Sequence, residues 1–262
     1  MFRLVENNGV PYYIAEELER TGLCAHGFTT RAGGVSGGDF ESLNLRLSCG
    51  DLRENIIKNY ELIAGALGIP VQKLILSKQV HRTDVREVGT ADCGNGLFRE
   101  NRFDSADALM TNESGAALVV FSADCVPVLF LDKKRRVIAA AHSGWRGTCG
   151  NIAAKTVVAM GERYGSAPED IICAIGASIR QCCFEFGEEV AAEFDEKFID
   201  RSGKKPHIDL QGNITEGLCG VGVKRENIVD NGICTCCRPD EFYSHRRVGD
   251  RRGAMAAILM LK

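Results

Sequence analysis

Apolar residues along this chain follow two patterns. Over residues 51–67 they recur at helical spacing, at Ile56, Ile57, Tyr60, Ile63, Ala64 and Leu67, and Gly68 with Pro70 closes the segment. Residues 152–164 repeat that amphipathic pattern up to Gly165, and residues 188–198 read as a further helix. The second pattern is the short unbroken apolar run. Residues 116–122 read as a buried strand, residues 126–132 and 137–141 as two strands joined by the turn Lys133-Lys134-Arg135-Arg136, and residues 171–175 as another. Residues 12–20 and 24–30 form short elements around Thr21-Gly22, residues 74–77 and 85–88 short strands, and residues 89–103 a loop. Beyond residue 198 the chain alternates short strands and loops and ends on the apolar run 256–261. Strands with interspersed helices, and no repeat or Pro/Ser-rich linker between them, predict one continuous α/β (α+β) layered domain over residues 1–262.

The hairpin brings two reactive side chains together. Pairing Asp132 with Val137 across the turn sets Pro127 opposite His142, and Cys125 lies two residues before Pro127 on the same face. Diagonal neighbours of this kind stand about 7 Å apart between Cα atoms, within side-chain reach of a shared ion. Pro127 has no N–H, so the ladder is expected to fray there. Thiolate with imidazole is a zinc-type donor pair. His81, in Ser77-Lys78-Gln79-Val80-His81 after a short strand, is the best third donor. Three protein ligands would leave a fourth position for water or substrate, the arrangement of a catalytic rather than a structural zinc. The same residues also fit ordinary hydrogen-bonded histidines beside a buried thiol.

Charge and composition narrow the partners. The net charge is -3, so there is no basic field to hold a phosphate backbone, and nucleic acid is not the expected partner. No apolar run is long enough to span a membrane. Met1-Phe2-Arg3-Leu4-Val5-Glu6-Asn7-Asn8 has neither an apolar signal core nor a small-residue cleavage site, so a cytoplasmic location is expected. The 12 cysteines are then expected to be reduced thiols, most of them small buried hydrophobes. Cys234-Thr235-Cys236-Cys237 contains a Cys-x-x-Cys spacing; a structural zinc there would need two more ligands, and Cys182-Cys183 is the only other tight pair.

The sequence around these residues resembles a known family. Ala123-Asp124-Cys125-Val126-Pro127 and Ala141-His142-Ser143-Gly144-Trp145-Arg146-Gly147-Thr148 are similar to the two central motifs of the YfiH/YlmD-like proteins, also labelled laccase-domain or multicopper polyphenol oxidoreductase proteins. His26-Gly27-Phe28-Thr29-Thr30-Arg31-Ala32-Gly33-Gly34-Val35-Ser36, Gln79-Val80-His81, Asp107-Ala108-Leu109-Met110-Thr111 and Ser244-His245-Arg246-Arg247 match in family order along nearly the whole chain. The resemblance implies layered mixed sheets flanked by helices, distantly like a Cys-His toxin deamidase. It implies a zinc held by His81, Cys125 and His142. It also implies phosphorolysis of adenosine, inosine, guanosine and methylthioadenosine to base and (methylthio)ribose 1-phosphate, and deamination of adenosine. Many relatives end Thr-Gly-Arg where this chain has Arg252-Gly253-Ala254, so no arginine role carries over to position 254.

On that reading Arg31, Arg146 and Arg246 would hold phosphate, since a guanidinium matches it in bidentate fashion, and His245 would line the pocket. Deamination needs a carboxylate to shuttle a proton, and Asp124 and Asp107 are candidates by position. The Gly-rich loop after Arg31 is not a Walker loop and reads from its glycines as a turn. Trp145 is expected to pack against the following helix while Arg146 points at the pocket. His26 and His207 are expected to be structural. A Cys-His hydrolase, with Cys125 as nucleophile and His142 as its base, is the alternative. A copper polyphenol oxidase fits less well, because several coppers need many histidines and the chain has 5. A non-catalytic zinc module would need a closed four-ligand shell.

Overall fold

A computed structural model describes residues 1–262 and places two six-stranded sheets face to face. The first runs, in spatial order, Phe2–Asn7, Val10–Ala15, Cys24–Thr29, Met255–Leu261, Ala117–Ser122 and Leu74–Leu76. The second runs Ile228–Asp230, Ile171–Ile175, Val126–Asp132, Val137–Ser143, Ala108–Thr111 and Val85–Glu87. Both are mixed. Only Leu74–Leu76 in the first sheet, and the two outermost pairs of the second, run parallel.

The unbroken apolar runs are explained by layering. Successive strand residues point to opposite faces, so a strand covered on both sides must be apolar at every position. Leu118, Val120, Leu129, Leu131, Ile138, Ala140, Ala257 and Leu259 meet in the core between the sheets. Their neighbours Ala117, Val119, Ala256 and Ile258 face outward under helix Arg53–Leu67. On the other side Val128, Phe130, Ala139 and Ala141 face helices Ile152–Tyr164 and Leu210–Gly220. The result is four layers, helix–sheet–sheet–helices. Each fully buried Leu, Ile or Phe stabilises this stack by about 1.5–3 kcal/mol. No helix is long and apolar enough to cross a membrane.

Helix Arg53–Leu67 follows its pattern, burying Ile56, Tyr60 and Ile63, and Gly68 ends it at φ 68°. Two readings of the sequence need correction. Residues 188–198 do not form one helix: helix Glu188–Ala191 stops, and a separate 3-10 turn spans Glu196–Phe198. Glu189 and Glu193 would stack like charges at i and i+4, and Asp195 instead accepts a hydrogen bond from the Lys197 N–H, starting the new turn. In the C-terminal part, Leu210–Gly220 is a helix, where strands and loops were expected. Gly212, Gly217 and Gly220 mask its propensity, but Asp209 caps it by accepting from the Gly212 N–H.

The hairpin has the expected register, Asp132 opposite Val137 and Pro127 opposite His142. The expected fraying does not occur, because the ladder continues to Val126 opposite Ser143. The His142 N–H donates to the carbonyl of Asp107, just before the other neighbouring strand Ala108–Thr111, so nothing opposite Pro127 needs the N–H that proline lacks.

Candidate functional site

Three donors converge where the hairpin opens. Cys125 immediately precedes strand Val126–Asp132, and His142 is the penultimate residue of Val137–Ser143. His81 comes from the loop after Leu74–Leu76, in the other sheet. Cys125 Sγ stands 4.0 Å from His81 Nε2, and the three donor atoms lie within 4.8 Å of one another. The two imidazoles meet edge to face at 4.9 Å.

One carboxylate organises both histidines. Asp107 is wholly buried and accepts from His142 Nδ1 at 3.0 Å, which turns Nε2 towards Cys125. It also accepts the backbone N–H groups of Val80, His81 and Arg82 at 3.1, 3.0 and 3.0 Å. These bonds hold His81 at φ 60°, a left-handed conformation that non-glycine residues rarely adopt and that concentrates at functional sites. Gly144 completes the arrangement. A Cβ there would lie 3.0 Å from the His81 ring and 3.2 Å from Cys125 Sγ, so a larger residue at the start of helix Trp145–Cys149 would press on both donors.

The charges are mutually supporting. Burial pushes the Cys125 thiol up, but His142 and His81 outweigh it and bring it down to about 6. Burial pushes His142 down, but Cys125 and Asp107 outweigh it and bring it up to about 9. A thiolate with two imidazoles, oriented by a buried carboxylate, is a soft donor set with the outer-shell carboxylate typical of metal-ligating histidine. These residues fit a zinc ion.

His81 and Cys125 line a cavity of about 590 Å³ together with, among others, Trp145, Arg146, Phe184, Phe186, His245 and Arg246. A smaller one of about 390 Å³ shares Arg46, His81, Cys125 and Arg252 with it. Arg146 lies over the Trp145 ring at 4.2 Å, and Trp145 packs 6.2 Å from Phe186. Arg246 lies 5.1 Å from the Phe186 ring and donates to the Glu185 carbonyl. His245 stands at the rim, 3.6 Å from Asp250.

Other candidates are placed differently. Arg31 does not line the cavity. Its guanidinium lies over Tyr243 at 4.8 Å, donates to the Pro239 carbonyl and faces Glu41 at 3.8 Å, so it braces loops. The Gly-rich loop is pinned as well: its Gly34 and Val35 N–H groups donate to Ser42 Oγ and Asn59 Oδ1, and a Cβ on Gly34 would lie 2.3 Å from the Ser42 carbonyl oxygen. Both carboxylates considered as proton shuttles are occupied. Asp107 is used as described; Asp124 accepts from Thr235 Oγ1 at 2.6 Å, Ser244 Oγ at 3.0 Å and the Arg246 N–H at 2.7 Å. Asp124 has φ 92° and so clamps the turn before Cys125.

Sequence reasoning missed Arg46, Arg252, Phe184 and Phe186. Arg252 is the informative one. Its Nε is buried without a partner, and burial beside Arg46 pushes its pKa down. Two crowded cations with an unsatisfied N–H are a place where an anion fits. Arg252 stands close in sequence to the Ser244-His245-Arg246-Arg247 motif, which was the available signal; Arg46 carries no motif.

Fold and site together define a class: a four-layer protein with one thiol and two imidazoles converging beside an arginine-rimmed cavity. The chain belongs to the family described as multi-copper polyphenol oxidoreductase laccase, whose model matches residues 25–262. It is 34% identical over 255 residues to a Bacteroides thetaiotaomicron protein named purine nucleoside phosphorylase, covering 94% of each chain. It is 32% identical to an adenosine deaminase named RL5 from an unknown prokaryotic organism, covering 86% of this chain and 90% of that one. The crystal structure of the Bacillus licheniformis hypothetical protein YfiH superposes with a TM-score of 0.93 at 30% identity, over 100% of this chain and 99% of the other. Layered mixed sheets flanked by helices are thus the family's fold.

Proposed function

We propose that this chain is a zinc-dependent purine nucleoside phosphorylase that also deaminates adenosine. The observation that carries the reading is the convergence of His81, Cys125 and His142 beside a cavity that Arg46, Arg146, Arg246 and Arg252 line together with Asp124 and Asp250. A zinc ion bound there would supply Lewis acidity at an open fourth position. Arg46 and Arg252, crowded and with one N–H unsatisfied, bind the phosphate together with Arg146. Phe184, Phe186 and Trp145, tilted against one another, give an aromatic wall suited to a purine. In phosphorolysis a phosphate oxygen bonds to the ribose C1′ as the bond to the purine nitrogen breaks. In deamination water takes its place as reactant: its oxygen bonds to C6 as the bond to the exocyclic nitrogen breaks, and ammonia leaves. Asp107 holds Nδ1 of His142, and Asp124 holds the turn at Cys125. The exposed His245–Asp250 pair at the rim is the proton carrier in this reading.

The test is product analysis. Adenosine with phosphate should give adenine and ribose 1-phosphate, and adenosine without phosphate should give inosine. Neither product, under conditions where the protein retains zinc, would refute the reading.

The second reading is a Cys-His hydrolase. Its support is the Cys125 thiol brought down to about 6 beside a histidine that Asp107 orients, the geometry of a nucleophile, base and orienting acid. Full activity on amide or ester substrates after chelation favours it; loss of nucleoside turnover on chelation favours zinc.

A further inference from the structure

Behind the cavity wall lies a second sulfur cluster. Strands Ile171–Ile175 and Ile228–Asp230 run parallel and adjacent, so the loops that follow them leave the same end of the sheet. A bridge between Ser178 and Cys234 ties those loops together. The first carries Cys182 and Cys183, the second Cys234 and Cys237. Their sulfurs stand 3.8 Å apart for Cys182 and Cys183, 3.7 Å for Cys182 and Cys237, and 3.3 Å for Cys183 and Cys237; all four lie within 4.8 Å of one another. Zinc–sulfur bonds of about 2.3 Å at tetrahedral angles put sulfurs about 3.8 Å apart. Two of the three spacings among Cys182, Cys183 and Cys237 are already close to that value, and Cys234 lies within 4.8 Å of all three.

We propose that Cys182, Cys183, Cys234 and Cys237 form a structural zinc site distinct from the His81–Cys125–His142 cluster. Four thiolates close the shell and leave no position for substrate, so the ion's role is mechanical. The surroundings suit a thiolate ligand: the Arg180 N–H donates to Cys234 Sγ at 3.4 Å, the kind of bond that steadies metal-bound sulfur. A divalent cation favours all four sulfurs deprotonated.

The ion would staple the pocket wall. Thr235, between two of the ligands, donates to Asp124, and the Cys236 carbonyl accepts from the Arg247 guanidinium at 2.8 and 3.1 Å. The other ligand pair runs directly into Phe184 and Phe186, which line the cavity. The site therefore fixes both the turn before Cys125 and the aromatic face, without touching the reacting atoms.

The inference does not depend on the nucleoside activity, and the test is arranged accordingly. Full-length Cys125→Ala, which lacks a donor of the pocket cluster, is purified with zinc and a thiol reductant and then desalted. Elemental analysis should find about one zinc per chain, falling to about none when Cys182→Ser and Cys237→Ser are added. The wild-type content should fall by the same amount with the serine pair alone. Cobalt substitution of the Cys125→Ala protein should give the intense visible absorption of a tetrahedral tetrathiolate, a readout that does not need the serine variants to fold. A metal-free Cys125→Ala protein, zinc unchanged by the serine pair, or a Cys183–Cys237 disulfide persisting under reductant in place of the metal would each overturn the proposal.

Discussion

Two cysteine–histidine pairs stand on the two sheets, and they behave in opposite ways. On the first sheet Cys24 Sγ lies 4.0 Å from His26 Nδ1, the same separation as Cys125 Sγ, at the strand end of the second, from His81 Nε2. Burial pushes the Cys24 thiol up to about 11 and His26 down to about 4, so both are neutral near pH 7. The Ala15 N–H donates to His26 Nε2 at 2.9 Å and holds that neutral form. Cys125 is brought down to about 6 and its other neighbour, His142, up to about 9, so Cys125 and His142 are ionised near pH 7. Both histidines are similarly buried. The difference is Asp107, a buried carboxylate bonded to His142, together with the second imidazole of His81. Proximity of thiol and imidazole therefore does not make a site. A buried anion that orients the ring and supports its charge does.

The largest test removes the thiol from the ionised pair. Cys125→Ala should lose pocket-bound zinc and lower nucleoside turnover on the order of a thousandfold, since several kcal/mol of transition-state stabilisation go with the ion. Cys24→Ala should leave both unchanged in steady-state assays and elemental analysis. Comparable losses from the two substitutions would erase the contrast.

The next effect belongs to the neutral pair and concerns acid stability. The folded-state pKa of His26, about 4, lies below its unfolded value of 6.5. Its contribution is complete above pH 6.5 and is lost as pH falls towards 4, because only the unfolded chain takes up the proton readily. The gap corresponds to roughly 3 kcal/mol. His26→Gln keeps an acceptor for the Ala15 N–H but cannot titrate. Urea unfolding at pH 7 and pH 4 should show the variant losing about that much less stability than wild type over the interval. A stability difference independent of pH would mean that His26 is not held neutral.

Asp107→Asn probes the anion itself. Loss of an outer-shell carboxylate typically weakens metal binding about 10–100-fold, and zinc competition titration should find a change in that range. Asp124→Asn removes a carboxylate that touches no donor. It should cost stability through Thr235, Ser244 and Arg246 while changing zinc affinity less.

The sequence was readable where chemistry and strand period coincide. The hairpin from Val126 to Ser143 has two covered faces and one register, so parity alone placed Cys125 near His142. The loop side was not readable. Arg46, Phe184, Phe186 and Arg252 reach the cavity from segments whose approach depends on how the loops close over the sheets, and no local period encodes that. Arg31 shows the converse. Its place in a family-like motif suggested phosphate, yet Tyr243 and Pro239 hold its guanidinium. Helix Leu210–Gly220 was hidden by three glycines whose cost the packing of Ile214 and Leu218 outweighs.

The smallest effect separates the two pairs by the cations around them. The cavity beside Cys24 and His26 also holds an arginine, Arg3, but Glu19 pairs with it at 3.0 Å. Beside Cys125, Arg252 keeps a buried N–H without a partner, next to Arg46. An anion entering the second cavity gains a charge-assisted hydrogen bond that in the first is already satisfied. Arg252→Ala should therefore raise the phosphate KM about tenfold, the equivalent of about 1.4 kcal/mol. It should leave kcat at saturating phosphate within about twofold. Adenosine deamination, whose co-reactant is water, should change little. Arg146→Ala should act in the same direction but more weakly, because its guanidinium is already engaged over the Trp145 ring and has no buried N–H left unpartnered. Arg3→Ala should change neither reaction. Equal losses in phosphorolysis and deamination for Arg252→Ala would assign that arginine to the pocket's structure rather than to phosphate.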